Sequence, residues 1–245
     1  LLSIRCGHVK FNNIEAILFD KDGTLEDSQS FLRELSIRRA RLIDAQIPGI
    51  GEPLLMAFGL QENRLDPTGL MAVGSRQENL IAAAAYIAET GRSWFESLAI
   101  AQNAFTEADK YLPKNRTTSP LFAGSLDVLK ILSDAGLKLG ILSAAPTSDV
   151  ENFVKEHQLS NYIQLMMGGD QGLTKPDPRL FIQACQLLET TPNVTLMVGD
   201  SQGDIIMAQQ AGVAGTIGIC WGNSHAPHLE KADVIITQLE QIQLD

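Results

Sequence analysis

Two aspartates, Asp20 and Asp22, stand two residues apart in the string Phe19-Asp20-Lys21-Asp22-Gly23-Thr24-Leu25, at the end of an apolar run from Ile14 to Phe19. In an extended chain, side chains at i and i+2 point to the same side. Gly23 then breaks the strand, so the turn can aim both carboxylates into one site. Two adjacent like charges repel, and such a pair needs a cation, or one member must hold a proton. That combination suits binding of a hard metal ion and nucleophilic and acid–base work on a phosphate.

Three further groups fit the same chemistry. Ser143 follows the apolar Ile141-Leu142, and its hydroxyl can donate to a phosphoryl oxygen. Lys175 lies in the loop Gly172-Leu173-Thr174-Lys175-Pro176-Asp177-Pro178, where an ammonium would neutralise phosphoryl oxygens and spread the negative charge of the site. Gly199-Asp200-Ser201-Gln202-Gly203-Asp204 follows Leu196-Met197-Val198 and turns into a helix. A hard cation such as Mg²⁺ prefers carboxylate, carbonyl and water oxygens. Asp20, Asp200 and the backbone carbonyl of Asp22 supply candidate ligands, while Asp204 would orient a bound water or hold those ligands from behind. Backbone amides beside Asp22 and Ser143, at Gly23, Thr24 and Ala144, would complete a cradle for the phosphate. Arg76, near a helix start, is a candidate contact for an anionic leaving group.

The elements that must position these residues change texture along the chain. The first strand covers about 14–19. From Asp27 to about Leu112 the pattern is helical, with no convincing strand. Ser30 to Ala45 carries one helical stripe. Ser75-Arg76-Gln77-Glu78 and Ser93-Trp94-Phe95-Glu96 are Ser-x-x-Glu capping boxes that mark two helix starts. Asn63 to Gly69 reads as a loop. After Pro113, short apolar runs at Leu137–Leu142, Tyr162–Met167, Val194–Val198, Thr216–Cys220 and Val234–Ile236 suit strands buried on both faces of a parallel sheet. Helices are expected from Ser125 to Ala135, from the box Ser148-Asp149-Val150-Glu151, from Asp177-Pro178 and from about Ser201 to Gly212. The alternation predicts a doubly wound, Rossmann-like α/β core over 1–25 and 113–245, with a helical domain over 26–112 inserted after the first strand. Ligands in such sheets sit at the carboxyl ends of the strands, where Asp20, Ser143 and Asp200 are expected.

The order of aspartate pair, serine, lysine and Gly-Asp-x-x-x-Asp resembles the four motifs of the haloacid dehalogenase-like hydrolases, and the helical insert resembles that of their phosphoglycolate phosphatase-like subgroup. Ser143-Ala144-Ala145 departs from relatives that often carry asparagine after the serine or threonine. The resemblance implies a Mg²⁺-dependent, two-step phosphatase. Asp20 would attack phosphorus and form an aspartyl phosphate. Asp22 would protonate the leaving oxygen and then act as base toward water. Relatives that cleave carbon–halogen bonds lack the second aspartate, so Asp22 favours a phosphate ester. A phosphomutase, which returns the phosphoryl group to a sugar, and an idle binding member are the alternatives. The resemblance leaves phosphoglycolate, a sugar phosphate or a nucleotide open as the small phosphorylated substrate.

Bulk properties narrow the class. The 245 residues suffice for one large domain or two modest ones, and 44% hydrophobic content supports a substantial core. A formal charge of −10 disfavours nonspecific binding to nucleic acid or anionic membranes. No apolar run approaches the length of a membrane span. Cys6, Cys185 and Cys220 are widely separated, which suggests reduced thiols and a cytoplasmic setting. The first residues lack the basic-then-apolar order of a secretory signal. His225-Ala-Pro-His228 reads as a loop rather than a metal site. Nothing in the sequence indicates an oligomeric state.

Overall fold

Ala16 to Phe19 are buried without exception, so this run has no solvent face and must lie inside a sheet covered on both sides. A computed structural model describes residues 2–110, 119–170, 172–222 and 225–245. In chain order, strands β1 (Leu2–Cys6), β2 (Val9–Ile14) and β3 (Ala16–Phe19) lead into helices α1 (Gln29–Asp44) and α2 (Gly51–Phe58). A short pair, β4 (Leu60–Gln61) and β5 (Arg64–Leu65), precedes α3 (Leu70–Val73), α4 (Arg76–Glu89) and α5 (Trp94–Lys110). Next come α6 (Ser125–Asp134), β6 (Lys138–Leu142), α7 (Thr147–Glu156), β7 (Leu165–Met167), α8 (Pro178–Leu187) and β8 (Thr195–Gly199). The chain then forms α9 (Gln202–Gln210), β9 (Gly215–Ile219), β10 (Val234–Ile236) and β11 (Ile242–Leu244).

The chain divides into two compact units, Leu1–Asp27 with Leu121–Asp245, and Ser28–Pro120. The first break lies two residues beyond position 25. The boundary expected at 112–113 falls outside the described residues.

The first unit is built on a six-stranded parallel sheet in the order β10-β9-β8-β3-β6-β7. Side chains alternate across β3. Ile17 and Phe19 join a core with Val128, Leu129 and Leu132 of α6 and Val150 and Phe153 of α7. Ala16 and Leu18 join the opposite core with Leu180, Phe181 and Ala184 of α8 and Met207 and Ala208 of α9. The strand–helix alternation thus becomes a doubly wound α/β fold with helices on both faces. Register carries the site. Phe19 pairs with Ile141 on one side and Val198 on the other, which brings the residues after all three strands to one edge.

The second unit has a separate helical core. Leu35 and Ile43 of α1, Leu54 and Phe58 of α2, Ala83 and Ala84 of α4 and Ala104 and Phe105 of α5 pack together. The alanines let α4 and α5 approach closely, and the Phe58 and Phe105 rings meet edge to face at 6.4 Å. The Ser75 box forms in both directions at the start of α4. At α5, the Glu96 N–H donates to Ser93 Oγ at 3.4 Å. No helix among the described residues is long and apolar enough to cross a membrane.

Several boundaries differ from expectation for identifiable reasons. Ile14 ends β2 rather than opening β3. Asn13 adopts a left-handed φ of 60°, which asparagine tolerates, and Ala16 begins a new strand in another sheet. β1 pairs antiparallel with both β2 and β11, a three-stranded sheet additional to the expected parallel one. Tyr162 and Ile163 donate their N–H groups to Leu159 C=O at 2.9 and 3.1 Å, so a turn takes the start of the expected strand. Arg64 and Leu65, expected in a loop, pair with Gln61 and Leu60. The Ser148 box does not form. α7 starts one residue earlier, where the Thr147 N–H and Oγ1 both donate to Asp170 at 3.0 and 2.6 Å.

Ile17→Ala removes a fully buried side chain from the central strand and is expected to cost about 2–5 kcal/mol. Ser75→Ala removes a helix cap and is expected to cost about 1 kcal/mol. Urea unfolding midpoints of the two variants check this ranking.

Candidate active site

Asp20 follows β3, and its N–H extends the ladder by donating to Val198 C=O at 2.8 Å. The carboxylate therefore emerges at a fixed height between two neighbouring strands. Asp200 follows β8, whose last residue, Gly199, must be a glycine because a Cβ there would collide with the Asp204 carboxylate. Ser201 caps α9 in a reciprocal box: its Oγ accepts the Asp204 N–H, while Asp204 Oδ2 accepts from the Ser201 N–H at 3.2 Å and from its hydroxyl at 2.6 Å. That box fixes Asp204, which is fully buried.

Lys175 closes the cluster. Its Nζ lies 2.5 Å from Asp20 Oδ1 and 2.6 Å from Asp204 Oδ1. Oxygens of Asp20, Asp200 and Asp204 all lie within 4.8 Å of one another. Thr24 Oγ1 donates to Asp200 Oδ1 at 3.4 Å. Gly23, at a φ of 80°, leaves room for Asp200, since a Cβ at this position would overlap its carboxylate.

The charges are frustrated. Burial raises the Asp20 carboxyl above the usual range; Lys175 opposes the shift, and Asp204 and Asp22 add to it. Burial, followed by Asp20 and Asp204, raises Asp200 further. Burial alone would lower Lys175, but Asp20 and Asp204 hold it above the ordinary lysine value. One ammonium thus faces three acids, the setting in which a hard cation relieves repulsion. The donors are all oxygens, as Mg²⁺ requires. The Asp22 carbonyl takes no part in the hydrogen bonds that close the turn, among the described residues. This donor set fits a divalent ion.

The remaining expected residues sit differently. The Asp22 carboxylate lies 2.7 Å from Lys21 Nζ, which also contacts Glu26 Oε2 at 2.5 Å. Ser143 is fully buried and its Oγ accepts the Ala145 N–H at 3.0 Å, which leaves the hydroxyl proton to donate. The amides of Gly23 and Thr24 do not face an open cradle. The turn uses them, Gly23 N–H on Glu26 C=O at 2.9 Å and Thr24 N–H on Lys21 C=O at 3.4 Å. The Ala144 amide makes no hydrogen bond among the described residues. Arg76 lies in the helical unit, 2.9 Å from Asp109 Oδ2, so its guanidinium already has a carboxylate partner. Sequence reasoning missed Lys21 and Glu26. The available signal was a lysine set between two aspartates, with a third acid five positions on.

Residues 14–212 match the family profile of haloacid dehalogenase-like hydrolases. The chain belongs to this family. Similar proteins match along almost the whole sequence. A phosphoglycolate phosphatase of Vibrio vulnificus (strain YJ016) is 27% identical over 241 residues, covering 94% of each chain. An N-acetylmuramic acid 6-phosphate phosphatase of Pseudomonas putida is 27% identical over 227 residues, covering 91% of this chain and 92% of its own. Among solved structures, a predicted phosphoglycolate phosphatase from Haemophilus somnus matches with a TM-score of 0.65 at 21% identity, covering 93% of this chain and 96% of the other. The last likeness concerns the fold alone. The family profile makes the chain a haloacid dehalogenase-like hydrolase, and the relatives named here are phosphatases.

Lys175→Met leaves buried acids without their ammonium partner. It is expected to lower stability by about 3 kcal/mol in the presence of chelator. Added Mg²⁺ should recover part of the loss by binding the folded state. Thermal unfolding with and without the ion measures both effects.

Proposed function

We propose that this chain is a Mg²⁺-dependent phosphatase that hydrolyses a small phosphomonoester through an aspartyl phosphate on Asp20. The observation that carries the reading is the meeting of Asp20, Lys175, Asp200 and Asp204 at one sheet edge, with oxygens of the three acids within 4.8 Å of one another. Asp20, Asp200 and the Asp22 carbonyl would hold the ion, with Asp204 behind them. When bound, the ion screens the repulsion between carboxylate and phosphate.

The chain's own residues then divide the work. An Asp20 oxygen attacks phosphorus in line, and the ester P–O bond breaks as the new bond forms. Asp22 gives a proton to the departing oxygen, so the product leaves as an alcohol. Asp22 then takes a proton from water as the water oxygen attacks phosphorus. Cleavage of the Asp20–phosphorus bond regenerates the carboxylate and releases inorganic phosphate. Lys175 neutralises phosphoryl oxygens, and Ser143 donates a hydrogen bond to one of them.

The names of the relatives support a small phosphorylated metabolite as substrate, with phosphoglycolate the first ester to try. The helical unit, inserted after the strand that carries Asp20, is proposed as the cap that selects it. Free thiols at Cys6, Cys185 and Cys220 support a reducing, cytoplasmic setting.

A panel of phosphorylated metabolites assayed with Mg²⁺ tests the reading. Phosphate release is expected, with loss on chelation. Asp20→Asn is expected to lose on the order of 10³-fold or more in kcat. Conversion of a sugar phosphate to its isomer with little phosphate released would instead favour a phosphomutase.

A further inference from the structure

Lys21 sits between the two motif aspartates, and its ammonium contacts Asp22 and Glu26. Only 6% of Lys21 and 4% of Glu26 is exposed, so neither is a solvated surface charge. Lys21 Nζ lies 2.7 Å from Asp22 Oδ1, 2.5 Å from Glu26 Oε2 and 5.6 Å from the centre of the Phe153 ring. An ammonium seated over an aromatic face and bonded to two carboxylates has little freedom to move. Glu26 is itself fixed by the backbone. Its N–H donates to Lys21 C=O at 3.0 Å and its C=O accepts from Gly23 N–H at 2.9 Å. The turn that displays the acid pair therefore folds back and anchors its own lysine.

The contact with Asp22 is one-sided. Oδ1 is tied to Lys21, while Oδ2 carries no hydrogen bond among the described residues. A carboxyl group held by one oxygen and open at the other is arranged for proton transfer, because its reach is fixed and its second oxygen is available. Glu26 also balances the charge of Lys21. The ammonium thus stays compensated whether or not Asp22 carries a proton.

We propose that Lys21, anchored by Glu26, is the positioning residue that holds the Asp22 carboxyl for proton transfer to the leaving group. The proposal rests on the reading of Asp22 as the acid and base of the reaction. It predicts that loss of Lys21 harms the esters that most need a proton at departure.

Two aryl esters of similar shape provide the probe. p-Nitrophenyl phosphate releases a weakly basic phenolate, whereas phenyl phosphate releases a more basic one that depends more on the acid. kcat/KM reports the first phosphoryl transfer, the step in which the leaving group departs. Lys21→Met is expected to lower kcat/KM for phenyl phosphate about 10-fold more than for p-nitrophenyl phosphate, because a misplaced general acid forfeits part of its contribution. Lys21→Arg, which keeps the charge, should restore most of the difference, and Glu26→Gln should show the same bias in weaker form. An equal fall for both esters in Lys21→Met would overturn the proposal, because a merely structural role has no leaving-group bias. If Lys21→Met does not fold, the presence or absence of the bias in Glu26→Gln decides. Asp22→Asn in the same assay separates the two claims. Absence of bias there removes the reading of Asp22 itself. Bias in Asp22→Asn without bias in the Lys21 and Glu26 variants removes only the role given to Lys21.

Discussion

Lys175 Nζ stands 2.5 Å from Asp20 and 2.6 Å from Asp204, with Asp200 beside them, so one buried positive charge serves three acids. Excess negative charge in a partly desolvated place is expensive, and the structure does not remove it. It raises the proton affinity of Asp20 and Asp200 instead. The same imbalance makes the cluster receptive to a divalent ion. A site neutralised by its own side chains would gain little from a cation. This one is left short of positive charge, by acids that two strand ends and the first turn of a helix hold in place.

That shortage persists only because the backbone prevents the acids from moving apart. Asp20 is held by the ladder to Val198, and Asp204 by its capping box with Ser201. Gly23 and Gly199 clear the space into which Asp200 and Asp204 press, and any side chain at either position would displace a carboxylate. The two apolar layers around β3 hold this edge in place. Each fully buried Ile, Leu or Phe contributes roughly 1.5–3 kcal/mol, and several such residues from four helices clamp a strand of four residues. Stability stored in the core thus offsets the electrostatic cost at the rim.

The parts of the molecule that could be read from sequence are those encoded over a few adjacent residues. Asp20, Asp22 and Asp200 follow strand ends marked by apolar runs, Asp204 falls in the helical turn just beyond, and the Asp177 and Ser201 helix starts carry their caps beside them. Features that depend on distant partners were hidden. β1 pairs with β11 across most of the chain, and nothing local in Leu2–Cys6 names Ile242–Leu244 as its neighbour. The failure at Ser148 has the same origin, because Asp170 supplies from another loop what a local cap would have provided. Tyr162 and Ile163 are apolar enough for a strand, but the turn closing α7 claims their amides first. The Gly23 and Thr24 amides, expected in a phosphate cradle, are engaged by the turn, because a motif states which residues are present, not which hydrogen bonds they make.

Lys21 shows how a short motif can conceal a second layer of organisation. Its neighbours Asp20 and Asp22 diverge in electrostatic company despite their proximity. Asp20 faces Lys175, Asp200 and Asp204, while Asp22 faces Lys21 and, through it, Glu26. One turn therefore separates two acids into distinct settings. The first lies in an overcrowded cluster that calls for a cation. The second lies beside an ammonium whose charge is already shared. The proposed nucleophile and the proposed acid–base group thus sit in different surroundings only two residues apart. The i and i+2 geometry brings the pair to one place, and the two lysines, Lys175 and Lys21, make its members different.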